Sequence, residues 1–134
     1  MEFLKLMALD ADDLAVISTH LQDAEINMED MLYIPEKHRF VFAALRAAPD
    51  QELHREQRCY SGVHFDHVLA VRHLHIDRTQ KSEKLVFIGT LFEPTDVPGG
   101  KITLFFKGEK SIQLDVECIE AQFRDFPMRE TYQS

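Results

Sequence analysis

Five of the seven histidines in this 134-residue chain fall between His54 and His75. Four of them, His64, His67, His73 and His75, punctuate the single stretch RCYSGVHFDHVLAVRHLHIDR. Imidazoles at this density point to two kinds of chemistry: coordination of zinc or another transition metal, or proton transfer near neutral pH. On a β-strand, residues i and i+2 share a face, so His73 and His75 can address one ion. A zinc site needs a third protein ligand, and preferably an acceptor behind each ring. His64, Asp66 and Asp77 are the nearby suppliers, and none sits at a spacing that forces convergence. The plainer expectation is that His73 and His75 lie on a solvated face while Leu74 and Ile76 turn inward. No metal is therefore assigned, and His73 and His75, joined by His64, Asp66 or Asp77, are the residues such a site would use.

The other reactive groups are few. A catalytic thiol needs a base beside it and a depressed pKa. Cys59 follows Arg58 and precedes the histidine stretch, so a Cys-His pair there is the nucleophile to consider, although a buried structural cysteine is the commoner case. Cys118 sits in an apolar alternation and reads as core. Asp10, Asp12 and Asp13 resemble an acid cluster, but they stand where a helix begins. There an N-cap and first-turn carboxylates satisfy free amides and the helix dipole. No nucleophile elbow, phosphate loop or dinucleotide fingerprint occurs, and Gly99-Gly100 reads as a turn. No catalytic residue or cofactor is assigned.

The elements that must position these groups follow from periodicity. Phe3–Leu9 reads as a short strand. Asp10 then caps a helix over Ala11–Ala24, whose stripe is Leu14, Ile17, Leu21 and Ala24 and whose hydrophobic staple is Leu9 against Leu14. Met31–Ile34 and Arg39–Leu45 form a hairpin around Pro35-Glu36-Lys37-His38. Phe40 and Phe42 share one face of it, and Val41 and Ala43 the other. The polar segment Ala47–Gln57 reads as a surface loop with one helical turn at Gln51–Glu56. Tyr60–Ile76 is extended with a break near Asp66-His67, and Lys84–Phe92 is a central strand. Ile102–Phe106 and Ile112–Val116 make a second hairpin. Beyond Val116 the alternation changes phase. A bulge at Cys118-Ile119 accounts for this slightly better than a helix over residues 117–125. The sum is an α+β fold. One N-terminal amphipathic helix packs on a curved, mostly antiparallel sheet, or small open barrel, of about seven to eight strands. Residues 1–126 form a single domain, followed by a frayed tail over 127–134.

Composition sets the outer bounds. Hydrophobic residues make up 45% and charged residues 28%, which fits a folded globular chain. A formal charge of −8 opposes binding to nucleic acid or to an anionic membrane surface. No apolar run reaches membrane-spanning length, and no basic, apolar leader opens the sequence. Two distant cysteines do not make a disulfide framework, so a cytoplasmic chain with reduced thiols is expected.

Three stretches carry a resemblance: LKLMALDADDLAVISTHLQDA, LYIPEKHRFVF and IQLDVECIEAQFRD. Together, from Leu4 to about Asp125, the chain resembles a family of short alphaproteobacterial proteins known as domain of unknown function 2948. The resemblance implies a bacterial, cytoplasmic, single-domain protein without an assigned activity, and it supplies no catalytic residues. It also implies small or basic residues where this chain has His73, Leu74 and His75. Those histidines then depart from the family pattern, which counts against a shared metal site.

With a well-specified core and no convergent catalytic set, the leading expectation is a non-enzymatic binding or protein-interaction module, forming a homodimer through a sheet edge. Its small-molecule ligand is unknown. The alternative is a small metal-dependent or Cys/His enzyme centred on Cys59, His64, His73 and His75.

Overall fold

The computed structural model describes residues 3–50 and 55–126. β1 (Lys5–Ala8) leads into α1 (Ala11–Leu21), which Asp10 caps as expected: its carboxylate accepts from the Asp13 amide at 2.8 Å. Leu14, Ile17 and Leu21 are buried, whereas Leu9 is 60% exposed and closes no staple. The helix stops at Leu21, three residues earlier than its stripe suggests. Asp23 turns left-handed at φ 66°, and its amide reaches the Phe87 carbonyl, so Ala24 enters the sheet instead.

β2 (Glu25–Asn27), a 3-10 turn at Met28–Asp30 and β3 (Met31–Ile34) follow. Next come β4 (Arg39–Asp50), β5 (Arg55–Phe65) and β6 (Val68–Leu74). The chain closes with β7 (Lys84–Pro94), β8 (Gly100–Phe106), β9 (Lys110–Val116) and β10 (Ala121–Phe126). Among the described residues ten antiparallel strands thus replace the expected seven or eight. The additional strands are β2 and β10, and β4 and β5 are longer than expected. Polar composition suggested a loop over Ala47–Gln57, but β4 and β5 continue as a ladder out to Asp50 opposite Arg55. Backbone hydrogen bonds hold such a ribbon, and they do not require apolar alternation. The helical turn expected at Gln51–Glu56 falls largely on 51–54, outside the described residues, and its last two positions are strand. The change of phase after Val116 is neither a bulged strand nor a helix. It is a crossing from β9, between β8 and β6, to β10, between β1 and β5.

The sheet runs β1-β10-β5-β4-β2-β7-β8-β9-β6, and β3 pairs with β4 beside β2. Its inward faces enclose one core that includes Phe40, Phe65, Phe87, Phe106 and Phe123, all nearly inaccessible. The ring is not closed. Among the described residues β3 pairs only with β4 and β6 only with β9, which leaves a seam between β3 and β6. Two hydrogen bonds pin one end of it: Val68 N–H to the His38 carbonyl, and Tyr33 Oη–H to the Val68 carbonyl, each 2.8 Å.

Candidate functional site

The seam is where the structure places a histidine against a cavity. Register pairs His73 with Ile112, an inward, buried residue, so His73 points into the molecule. This reverses the expected facing of His73 and Leu74, of which Leu74 is 56% exposed and His73 half-buried, whereas His75 is exposed and Ile76 packs against the core as expected. The reason is local. A register shift between Val68 and Ala70 rephases β6, so that Val71 and His73 face the core side.

His73 borders a cleft of about 360 Å³. Met28, Met31 and Phe40 give it apolar surface; Tyr33 and Pro35 stand on the β3 side. Arg78 and Lys81 arch over from the β6–β7 connection. That connection is held down by two backbone bonds, Met28 N–H to the Glu83 carbonyl and Glu29 N–H to the Lys81 carbonyl. Among the described residues no carboxylate lines the cleft, and neither Arg78 nor Lys81 enters an ion pair. Burial, and then the neighbouring Arg78 charge, hold the His73 imidazole below its ordinary pKa. The cleft therefore carries uncompensated positive charge over an apolar floor, in a chain whose net charge is −8.

The other residues singled out in the sequence lie elsewhere. His75 adopts a left-handed φ of 59° just past β6 and is exposed, so it does not share a strand face with His73. His64 faces outward on β5, 3.6 Å from Asp66, whose other oxygen accepts from Arg39 at 2.7 Å. Asp77 is committed to its own turn, where Thr79 bonds it through both backbone and hydroxyl and lowers its pKa. His67, at φ 60°, makes the β5–β6 turn and approaches Glu120 at 3.5 Å. Three of the chain's histidines, His38, His67 and His75, thus occupy left-handed turn positions, for which histidine is one of the better-suited non-glycine residues. His54 lies outside the described residues. Among those described, no three His, Cys, Asp or Glu side chains gather as a metal site would require.

Cys59 does not share a face with His64. It lies inward on β5, opposite Arg46, while His64 lies outward on the same strand. Burial, followed by the Asp125 charge, pushes its thiol up, away from the thiolate that nucleophilic chemistry uses. Around it stands a set that sequence reasoning missed. Arg46 forks onto Asp125 through Nε and NH2 at 2.9 and 2.6 Å, Ser61 donates to the same carboxylate at 2.6 Å, and the Leu4 amide adds a bond at 2.9 Å. Burial alone would raise the Asp125 pKa, but the bonds from Arg46, Ser61 and Leu4 outweigh it and hold the carboxylate low. All its oxygens are engaged by the chain itself, so this set ties β1, β4, β5 and β10 together and leaves no face open to a substrate. Its trace in the sequence is a polar residue in the inward phase of three strands: Arg46 after Phe40, Phe42 and Ala44; Ser61 before Val63 and Phe65; Asp125 after Ala121 and Phe123.

Among the described residues no helix is long and apolar enough to cross a membrane. No curated protein and no solved structure matches the chain. A family model does, across residues 4–134. With a match that covers nearly its whole length, the chain belongs to the family described as protein of unknown function, DUF2948.

Proposed function

We propose that this chain is a non-enzymatic binding module whose ligand is a small anion with a flat apolar body, held in the seam cleft between β3 and β6. The observation that carries this reading is the cleft's lining. Arg78, Lys81 and His73 surround an apolar floor with no carboxylate to neutralise them. Unpaired cations over apolar surface favour a ligand that brings its own negative charge and buries a ring or short chain. The volume of about 360 Å³ lies within the usual range for small-molecule sites. Methionines at positions 28 and 31 suit such a floor, since an unbranched thioether adapts to the shape it covers.

Phenyl phosphate and benzoate are the probes, with benzyl alcohol as the uncharged control. The chain has no tryptophan, so tyrosine emission, with Tyr33 in the cleft, and the His73 ring proton resonances are clean reporters. Binding an anion should raise the His73 pKa while quenching or enhancing tyrosine emission. The double variant Arg78→Glu, Lys81→Glu should weaken binding by roughly tenfold or more, since about 1.4 kcal/mol accounts for each factor of ten. No response to either anion at about 5 mM, where a site with a Kd near 1 mM is mostly filled, refutes the proposal. So does equal binding of benzyl alcohol.

A further inference from the structure

We infer that the outer face of the sheet carries a second, separate site, a trough for a single-chain aliphatic carboxylate. The register defines it. Ala43 lies opposite Gly62, Gly62 opposite Arg124, and Arg124 opposite Lys5, so one row crosses β4, β5, β10 and β1. Asp30 lines the same depression from the 3-10 turn beside β4. The row therefore runs from one carboxylate, over two of the smallest side chains, to two cations. Four strands at about 4.8 Å spacing make it about 14 Å long, the scale of an extended medium-length alkyl chain. Its cavity is about 550 Å³.

Each part of the row favours the same occupant. Ala43 lowers the floor, Val41 with His64 raises one wall, and the Phe126 ring, seated on Gly62, forms the other. The Phe126 ring lies so close over Gly62 that a Cβ there would stand 2.9 Å from it. Lys5 and Arg124 are direct cross-strand partners of like charge, an arrangement that costs stability when nothing lies between them. Among the described residues neither has an ion-pair partner, although the chain carries 23 acidic residues. A carboxylate between them relieves that repulsion, and the alkyl chain then lies along the Phe126 ring, Ala43 and Val41. Asp30 at the far end fixes the direction, because it repels a second negative group. The net charge of −8 disfavours an anionic bilayer as the source of the chain, so the occupant is a free carboxylate in solution.

Decanoate is the probe, with decanol and decyltrimethylammonium as controls, followed by calorimetry and by amide shifts of Gly62, Arg124 and Ala43. Decanoate should bind, and the controls should bind at least tenfold more weakly. The variant Lys5→Glu, Arg124→Glu should lose at least tenfold in affinity, and Ala43→Leu should block the floor. Arg78→Glu, Lys81→Glu should leave decanoate binding unchanged, which separates this site from the seam. The inference is overturned if decanol binds as tightly as decanoate, if the Lys5/Arg124 variant binds normally while folded by circular dichroism, if the shifts map to the seam, or if only anionic vesicles and not free decanoate engage the row.

Discussion

Removing one partner of the Arg46–Asp125 pair is the sharpest test of the packing described above. Asp125 is 3% exposed and accepts from Arg46 twice, from Ser61 and from the Leu4 amide. Asp125→Ala leaves the buried Arg46 guanidinium without its anion and strands two further donors, the Ser61 hydroxyl and the Leu4 amide. Breaking a buried pair from one side costs about 3–5 kcal/mol. In a chain of this size each kcal/mol moves the thermal midpoint by roughly 3–6 °C, so a fall of about 9–30 °C is expected. Urea unfolding should give the same free energy with an unchanged slope, since the exposed surface does not change. The double replacement Arg46→Met, Asp125→Leu removes both charges and should recover most of the loss. The pH dependence follows from the same bonds. The folded-state pKa of Asp125 lies below its ordinary 3.8, so its stabilising share is fully present above that value and is lost as pH falls through the lower, folded one. The wild type should therefore lose stability below about pH 4 more steeply than the double variant. A loss under about 1 kcal/mol for Asp125→Ala, or a double variant as unstable as the single, refutes the reasoning.

The remaining expectations are simpler. His73 titrates below its ordinary 6.5 in the folded state, so the unfolded chain takes up the proton first and stability falls as pH drops below 6.5; a His73→Gln variant, followed by urea titrations at pH 7.5 and 5.5, should lose part of that fall. Gly100→Ala places a Cβ 2.4 Å from the Glu93 carbonyl, a backbone atom that cannot swing away, and should cost about 1–3 kcal/mol in urea unfolding. His67→Val forces a β-branched residue to φ 60° and should cost about 1–2 kcal/mol, whereas His67→Asn should fall within about 0.5 kcal/mol of wild type. Charging all seven histidines would move the formal balance from −8 to −1, so solubility measured by precipitation should fall as pH drops toward 5.3.

Much of this architecture is legible in local pattern. The Asp10 cap, the Leu14–Ile17–Leu21 stripe and the β3–β4 hairpin each depend on residues a few positions apart, and so they are readable from one window of sequence. The seam is different. It depends on which strand edges remain unpaired, a global property that no window contains. His73 looked solvated because uninterrupted alternation from Leu74 places it outward, and only the shift at Val68–Ala70 turns it in. The density of histidines misleads in another way. Three of them answer to backbone conformation at turns, and shared composition is not shared location. Arg46, Ser61 and Asp125 were each visible as a polar residue in the wrong phase, but only pairing across β4, β5 and β10 makes them one network.

The pairing of β1 with β10 also governs how the chain can assemble. Leu4 and Asp125, joined by a hydrogen bond, are 121 residues apart. Loop-closure entropy opposes such contacts until most of the intervening chain is already compact, so folding should be slow, on the millisecond-to-second scale of high-contact-order β-proteins. On the ribosome, the segment carrying Lys5–Ala8 emerges well before Ala121–Phe126, the strand with which it pairs among the described residues. Arg46 and Ser61 wait for Asp125 in the same way. The last strand is thus a late lock: a nascent chain lacking it keeps an open sheet edge and an unpaired guanidinium.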